Sequence, residues 1–211
     1  MNDDATSTGK FPAMILAGGL SRRMGGGDKG LRLIAGRSLI AHLIDRLAPQ
    51  CGPLALNANG DPARFAELGL PVLADSVADH PGPLAGILAA MDWAAGLGAP
   101  AVLTAAADTP FPPLDLAQRL AQAQQGAGPA IAASRDAGGE LRDHPIFGLW
   151  PVALRDGLRR ALADGERRVT DFTRRHDTGR AIWDGQPHDP FFNINHPGDL
   201  IRAEAIAGLG G

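Results

Sequence analysis

The amino-acid sequence predicts an α/β fold: a single-domain, Rossmann-like three-layer sandwich with a mostly parallel sheet and helices on both faces. Three observations carry that expectation. Short apolar runs alternate with helix-spaced apolar patterns in the order βαβαβαβ over the first half of the chain, the arrangement that builds parallel sheets. The first of these runs empties into a glycine-rich loop, and ligands of such sheets lie beyond the carboxyl ends of the strands. With 211 residues, 45% of them apolar, the chain has the length of one well-buried core.

The elements follow in order. Phe11-Pro12-Ala13-Met14-Ile15-Leu16 is an apolar run ending in glycines, as a buried strand entering a ligand loop reads. Leu39, Ile40, Leu43, Ile44 and Leu47 recur at helical spacing, with Ser38 placed to cap the start and Pro49 just past the end. Leu54-Ala55-Leu56-Asn57 is a second strand, followed by the turn Asn59-Gly60-Asp61-Pro62 and a short helix from Ala63 to Leu68. Pro71 to Ala74 makes a third strand, Leu84 to Trp93 a buried helix, and Ala101 to Ala107 a strand covered on both faces. The second half is less regular, with a helix from Leu114 to Gln124, strands over Ala130 to Ala133 and Ile146 to Trp150, and helices over Ala153 to Ala163 and Val169 to Arg175. Residues 1–10 read as a flexible N-terminal tail, and 11–211 as one domain.

Composition narrows the partners. A net charge of -3 without clustered Lys and Arg argues against a nucleic-acid surface. Cys51 is the only cysteine, which rules out an internal disulfide or a thiolate-rich metal site and fits a reducing cytoplasm. The first ten residues lack the basic and hydrophobic parts of a signal peptide, and no run approaches the roughly 18 apolar residues of a membrane span. The sequence therefore predicts a soluble, cytoplasmic protein with a small ligand and no membrane partner.

The densest chemical signal is Leu16-Ala17-Gly18-Gly19-Leu20-Ser21-Arg22-Arg23-Met24-Gly25-Gly26-Gly27-Asp28-Lys29. Glycines let backbone N–H groups turn around phosphate oxygens because no Cβ obstructs the chain. Arg22 and Arg23 offer forked donors, and Lys29 a compact charge. The loop suits a polyphosphate, although neither GxxxxGK[ST] nor GxGxxG occurs in it; the plainer reading is a flexible surface loop with solvated arginines.

Asp108 ends the apolar run 101–107. A carboxylate there faces the ligand crevice, and Mg²⁺ is usually held by one or two carboxylates plus substrate phosphates, so Asp108 is the expected metal ligand. A turn-capping aspartate is the alternative. Asp75 follows the third strand in the same way, and Asn57 ends the second, where its amide suits a base or ribose as well as an ordinary turn. Asp143-His144-Pro145 and Asn193-Ile194-Asn195 add polar groups that suit either an acceptor pocket or structural hydrogen bonding. Gly165-Glu166-Arg167-Arg168 reads as a solvated face or as a phosphate clamp, and Arg135 and Arg142 as acceptor contacts or surface charges.

These residues resemble a known family. Leu16-Ala17-Gly18-Gly19, Arg23-Met24-Gly25 and Asp28-Lys29 are similar to the LAGGxSxRMGxDK signature of the molybdenum cofactor guanylyltransferases. Asn57-Ala58-Asn59, Asp75-Ser76, Pro81-Gly82-Pro83-Leu84-Ala85-Gly86, Asp108-Thr109-Pro110, Asp143-His144-Pro145, Gly165 to Arg168 and Phe192-Asn193-Ile194-Asn195 follow in family order, from about Met14 to Leu200. The resemblance implies transfer of GMP from GTP to the terminal phosphate of molybdopterin, giving the guanine dinucleotide cofactor and pyrophosphate. It implies a nucleotide-binding part over about 11–110 and an acceptor-binding part over about 111–211. Leu16, Ala17, Gly18, Gly19, Lys29, Asn57, Asp75 and Asp108 are then GTP-binding positions, Asp108 also the Mg²⁺ ligand, and Lys29, Asp108 and Arg23 the catalytic set. Asn193 and Asn195 are implied to lie towards the pterin, and apo-molybdoenzymes or a delivery chaperone to act downstream.

Related cytidylyltransferases tend to read LAAG, so Gly18 favours guanine over cytosine, whereas Ala107 departs from the cysteine or other small residue common before the aspartate. The rival readings are a CTP-using or sugar-phosphate nucleotidyltransferase and a non-catalytic cofactor carrier, the last of which would keep the loop without needing Asp108.

Overall fold

A computed structural model of the chain describes residues 10–18, 28–77, 82–185 and 188–208. Gly19, Arg22 and Arg23 of the glycine-rich loop lie outside the described residues, as do 1–9 of the expected tail. Lys10 donates from its ammonium to the carbonyl of Pro49 at 2.7 Å.

The chain builds a seven-stranded sheet from β1 (Ala13–Leu16), β4 (Leu54–Asn57), β5 (Val72–Leu73), β6 (Ala101–Ala106), β7 (Ala130–Arg135), β8 (Leu141–Pro151) and β9 (Gly179–Asp184). A two-stranded ribbon joins β2 (Leu33–Ile34) to β3 (Arg37–Ser38). The helices are α1 (Leu39–Leu47), α2 (Pro83–Gly96), α3 (Leu116–Ala123), α4 (Arg155–Ala163), α5 (Val169–Thr173) and α6 (Pro197–Gly208), with 3₁₀ turns at Lys29–Leu31, Pro62–Leu68 and Val152–Leu154. Among the described residues no helix is long and apolar enough to cross a membrane.

The sheet order is β5-β4-β1-β6-β8-β7-β9. Pairing is parallel from β5 through β6 and between β7 and β9, whereas β8 runs antiparallel to both of its neighbours. Alternation along each strand sends side chains to two cores. Ala13, Ile15, Leu103 and Ala132 meet α1 and α3 on one face, while Met14, Val102, Ile131 and Trp150 meet α2, α4 and α5 on the other. The mostly parallel three-layer sandwich expected from the sequence is what the chain forms.

Local chemistry explains the main helices. Ser38 accepts from the N–H of Ala41 at 3.1 Å and caps α1, whose buried residues Leu39, Ile40, Leu43 and Leu47 share one face. In α2, by contrast, Leu84 through Met91 are all buried, as an apolar helix wedged between the sheet and α4 requires. Three elements go beyond the sequence reading: the β2–β3 ribbon, the edge strand β9, and α6, which closes over the ribbon through Ile34, Leu39, Ile194 and Ala203.

A bulge in β8 shapes the site. Its partners on β7 jump from Gly148 opposite Ile131 to His144 opposite Ala132, so residues 145–147 bow out of the ladder. Pro145 has no N–H to give, and a bulge is where a sheet tolerates it. The carbonyl of Ile146 instead accepts from the Thr104 hydroxyl at 2.6 Å, and Thr104 accepts from the Trp150 indole N–H at 2.8 Å. Bulges re-aim side chains; this one turns His144 to Phe147 towards the crevice described next.

Candidate active site

β1 lies between β4 and β6, so the connections to those strands leave in opposite directions and open a crevice beyond their carboxyl ends. The register places Leu16 beside Asn57 on one side and Ala106 on the other. Gly18, Asn57, Asp75 and Asp108 therefore arrive at one edge of the sheet, each just past or at the end of a different strand. They line a hollow of about 970 Å³ with Leu16, Ala17 and Lys29, within the upper range of small-molecule sites. The candidates Leu16, Ala17, Gly18, Lys29, Asn57, Asp75 and Asp108 are thus brought together.

The asparagine end of this hollow is tightly braced. Asn57 is 4% exposed, and its amide N–H groups donate to the Leu73 carbonyl at 3.2 Å and to Asp75 Oδ1 at 3.0 Å. Asn59 donates to Asp75 Oδ2 at 2.7 Å and accepts from the Asp75 N–H at 3.0 Å. Gly86 makes room for this arrangement, since a Cβ there would stand 2.5 Å from Asn57 Oδ1. Among the described residues Asn57 Oδ1 accepts no hydrogen bond, leaving a buried acceptor beside the hollow.

At the opposite end Lys29 Nζ stands 2.6 Å from Asp108 Oδ2 and 2.5 Å from Asn195 Oδ1. Among the described residues Asp108 Oδ1 has only the Thr109 hydroxyl at 3.4 Å, a weak contact. Asp28, which closes the glycine-rich loop, is paired with Arg64 at 2.7 Å, and Arg64 also donates to the Asn59 carbonyl at 2.6 Å. The loop's exit is thereby tied to the asparagine end of the hollow.

A second hollow of about 460 Å³ shares Pro83, Ala106, Asp108 and Ile146 with the first. Asp143, His144, Arg167, Arg168 and Asn193 line it, together with Arg142 from β8 and Phe191. His144 contacts the Ser134 hydroxyl at 2.7 Å, stacks on Phe191 at 4.7 Å and lies 3.8 Å from Asp189. Burial holds its imidazole below the usual value, against the opposing pull of Asp189 and with help from Arg142. Asp143 is taken up by Arg180 through two bonds of 2.9 Å, and Glu166 by Arg175. Arg167 gives its hydrogen bonds to the Leu162 and Glu166 carbonyls, whereas neither the Arg142 nor the Arg168 side chain makes a hydrogen bond or ion pair among the described residues. Arg135 faces away, donating to the Gly139 carbonyl at 3.3 Å.

Among the described residues no three His, Cys, Asp or Glu side chains converge into a metal cage. Asp108 is a single carboxylate facing both hollows, with one oxygen nearly uncommitted among the described residues. That donor set fits Mg²⁺ held mainly by phosphate oxygens and water.

Asn59, Arg64, Gly86, Asp189 and Phe191 carry parts of the site that the sequence reading assigned no role. Asn59 had a readable signal, an amide two residues after Asn57, whereas nothing in the sequence around Asp189 points to His144.

Solved structures share this architecture. The chain superposes on molybdopterin-guanine dinucleotide biosynthesis protein A from Archaeoglobus fulgidus with a TM-score of 0.70 and 23% identity, covering 94% of this chain and 100% of that one. A nucleotidyl transferase from Methanothermobacter thermautotroptrophicus gives a TM-score of 0.69 at 16% identity, covering 96% of this chain and 99% of that one. The fold is that of the α/β nucleotidyltransferases. Within them the chain belongs to the MobA-like NTP transferase family, whose domain model matches residues 13–179. A relative named molybdenum cofactor guanylyltransferase, from Rhodopseudomonas palustris strain BisB5, is 57% identical over 199 residues, covering 93% of each chain.

Proposed function

We propose that this chain transfers GMP from GTP to the terminal phosphate of the molybdopterin form of the molybdenum cofactor, forming the guanine dinucleotide cofactor and releasing pyrophosphate. The name carried by its 50–57% identical relatives supports the acceptor and the base. The observation that carries the reading is the meeting of two hollows at Asp108: a nucleotide in the first and an acceptor in the second would bring their phosphates to one shared wall.

An oxygen of the acceptor's phosphate would attack the α-phosphorus of GTP as the bond to the bridging oxygen of the β-phosphate breaks, and pyrophosphate would carry away that electron pair. An ionised phosphate needs no base, so the side chains act by alignment and charge. Asn57 and Asp75 would hold base and ribose. Lys29, with Arg22, Arg23 and loop N–H groups that include Gly19, would offset the charge developing on the pyrophosphate. Arg142 and Arg168, whose guanidinium groups make no hydrogen bond or ion pair among the described residues, would take the acceptor phosphate, with Asn193 beside the pterin. Mg²⁺ held by Asp108 would supply Lewis-acid neutralisation of triphosphate oxygens.

Mixing purified protein with GTP, Mg²⁺ and isolated pterin cofactor tests the reading. Pyrophosphate should appear only with both substrates present, and faster with GTP than with CTP. Nucleotide binding without pyrophosphate release would make the protein a carrier instead; a preference for CTP would overturn the assignment of the base.

A further inference from the structure

Asn195 lines neither hollow, although Asn193, two residues earlier, lines the second. Its side-chain oxygen turns the other way, onto the Lys29 ammonium. The backbone that carries it is held on both sides. Ile194 is fully buried, and its N–H donates to the Asp108 carbonyl at 2.9 Å. The N–H groups of Asn195 and His196 both donate to Asp199 Oδ2 at 2.8 Å, fixing the turn that enters α6. Residues 193–195 thus form a strap pinned to the backbone of Asp108, with one asparagine at each substrate's side.

We propose that Asn195 is a positioning residue for Lys29, not an acceptor contact, and that it sets how Lys29 is shared between Asp108 and the nucleotide's phosphates. An ammonium has three protons to donate. Asp108 and Asn195 take two, from positions 79 and 166 residues away in the chain. The Asp108 contact is a charge pair, against which incoming phosphates must compete. The amide is neutral, so Asn195 holds the ammonium at the hollow's edge without adding to that competition. Loss of the amide leaves Lys29 to Asp108 alone and withdraws it from the β- and γ-phosphates, whereas GMP, which lacks them, is unaffected. This inference rests on the nucleotide reading proposed above.

The test is calorimetric titration of the full-length protein with GTP and with GMP, both in EDTA, for the parent, Asn195→Ala, Lys29→Met and the double variant. Asn195→Ala is expected to weaken GTP about tenfold, the scale of one hydrogen bond to a charged group, and to leave GMP unchanged, which also shows that the variant is folded. In the Lys29→Met background the same substitution should cost nothing further. Equal losses for GTP and GMP, a full additional loss in the double variant, or an unchanged GTP affinity for Asn195→Ala would overturn the proposal. Failure of the parent to bind GTP even when Mg²⁺ is restored would overturn the nucleotide reading beneath it.

Discussion

Lys29 Nζ lies 2.6 Å from Asp108 Oδ2, so the cation that follows the glycine-rich loop and the carboxylate that follows β6 form one charge pair at the mouth of the crevice. Their side chains are only 15% and 24% exposed, and a pair so shielded is less screened than one on the surface. Each therefore constrains what the other can do for a nucleotide.

Lys29→Ala should weaken GTP binding on the order of tenfold or more while changing GMP binding little, because the ammonium serves the outer phosphates. Parallel titrations with the two nucleotides check this, and equal losses would remove Lys29 from the phosphate subsite.

Asp108→Ala should behave differently. Its carbonyl still accepts from the Ile194 N–H, so the fold should persist, and GTP binding in EDTA should be kept or tightened because Lys29 is released. Turnover across a Mg²⁺ titration should fall by roughly a hundredfold or more. Parent-like turnover in that titration would show that the carboxylate holds no metal.

Gly86→Ala places a Cβ 2.5 Å from Asn57 Oδ1 and 3.2 Å from Leu16 Cδ2. Asn57 cannot give way without losing its bonds to Leu73 and Asp75. Stability should drop by roughly 1–3 kcal/mol, and affinity for GTP should fall with it. Unfolding curves and nucleotide titration of the same sample check both, and an unchanged affinity would place the base elsewhere.

Thr104→Val removes a hydroxyl that is fully buried between the Trp150 indole and the Ile146 carbonyl. The fully buried Trp150 indole N–H is left unpaired, so about 1–3 kcal/mol of stability should be lost. Urea unfolding measures the loss, and Thr104→Ser should restore most of it.

His144 makes stability depend on pH in a stated direction. Burial lowers its folded-state value below 6.5, so the unfolded chain binds that proton more readily. Its contribution is complete above about 6.5 and is lost progressively as the pH falls below it. The melting temperature of His144→Gln should therefore decline less steeply than the parent's on going from about pH 6.5 to 5; identical slopes would show that the imidazole is not held neutral by the fold.

Much of this was legible in the sequence because its cause is local. Apolar periodicity marked β1, α1, α2 and β6, and an acid or amide at a strand end marked Asn57, Asp75 and Asp108. What was not legible depends on pairings across the chain. The two-residue strands at Leu33–Ile34 and Arg37–Ser38 are too short to carry a period. β9 does alternate, with Gly179, Ala181 and Trp183 buried between exposed or half-exposed neighbours, but it had to find parallel β7 to become a strand. The Asn193–Asn195 pair reads from sequence as polar groups for a pocket or for structural hydrogen bonds; the Ile194 N–H bond to the Asp108 carbonyl ties the pair to the end of β6, and no spacing rule encodes that.

One triphosphate is expected to span Lys29 and Asp108 while its base reaches Asn57. A crystal structure with Mg²⁺ and an α,β-methylene analogue of GTP tests it most directly. The guanine and ribose should lie beside Asn57 and Asp75, the outer phosphates on Lys29, and the α-phosphate at the wall that Asp108 shares with the second hollow. A nucleotide bound with Lys29 and Asp108 directed into separate regions, or with its α-phosphate turned away from the second hollow, would contradict it.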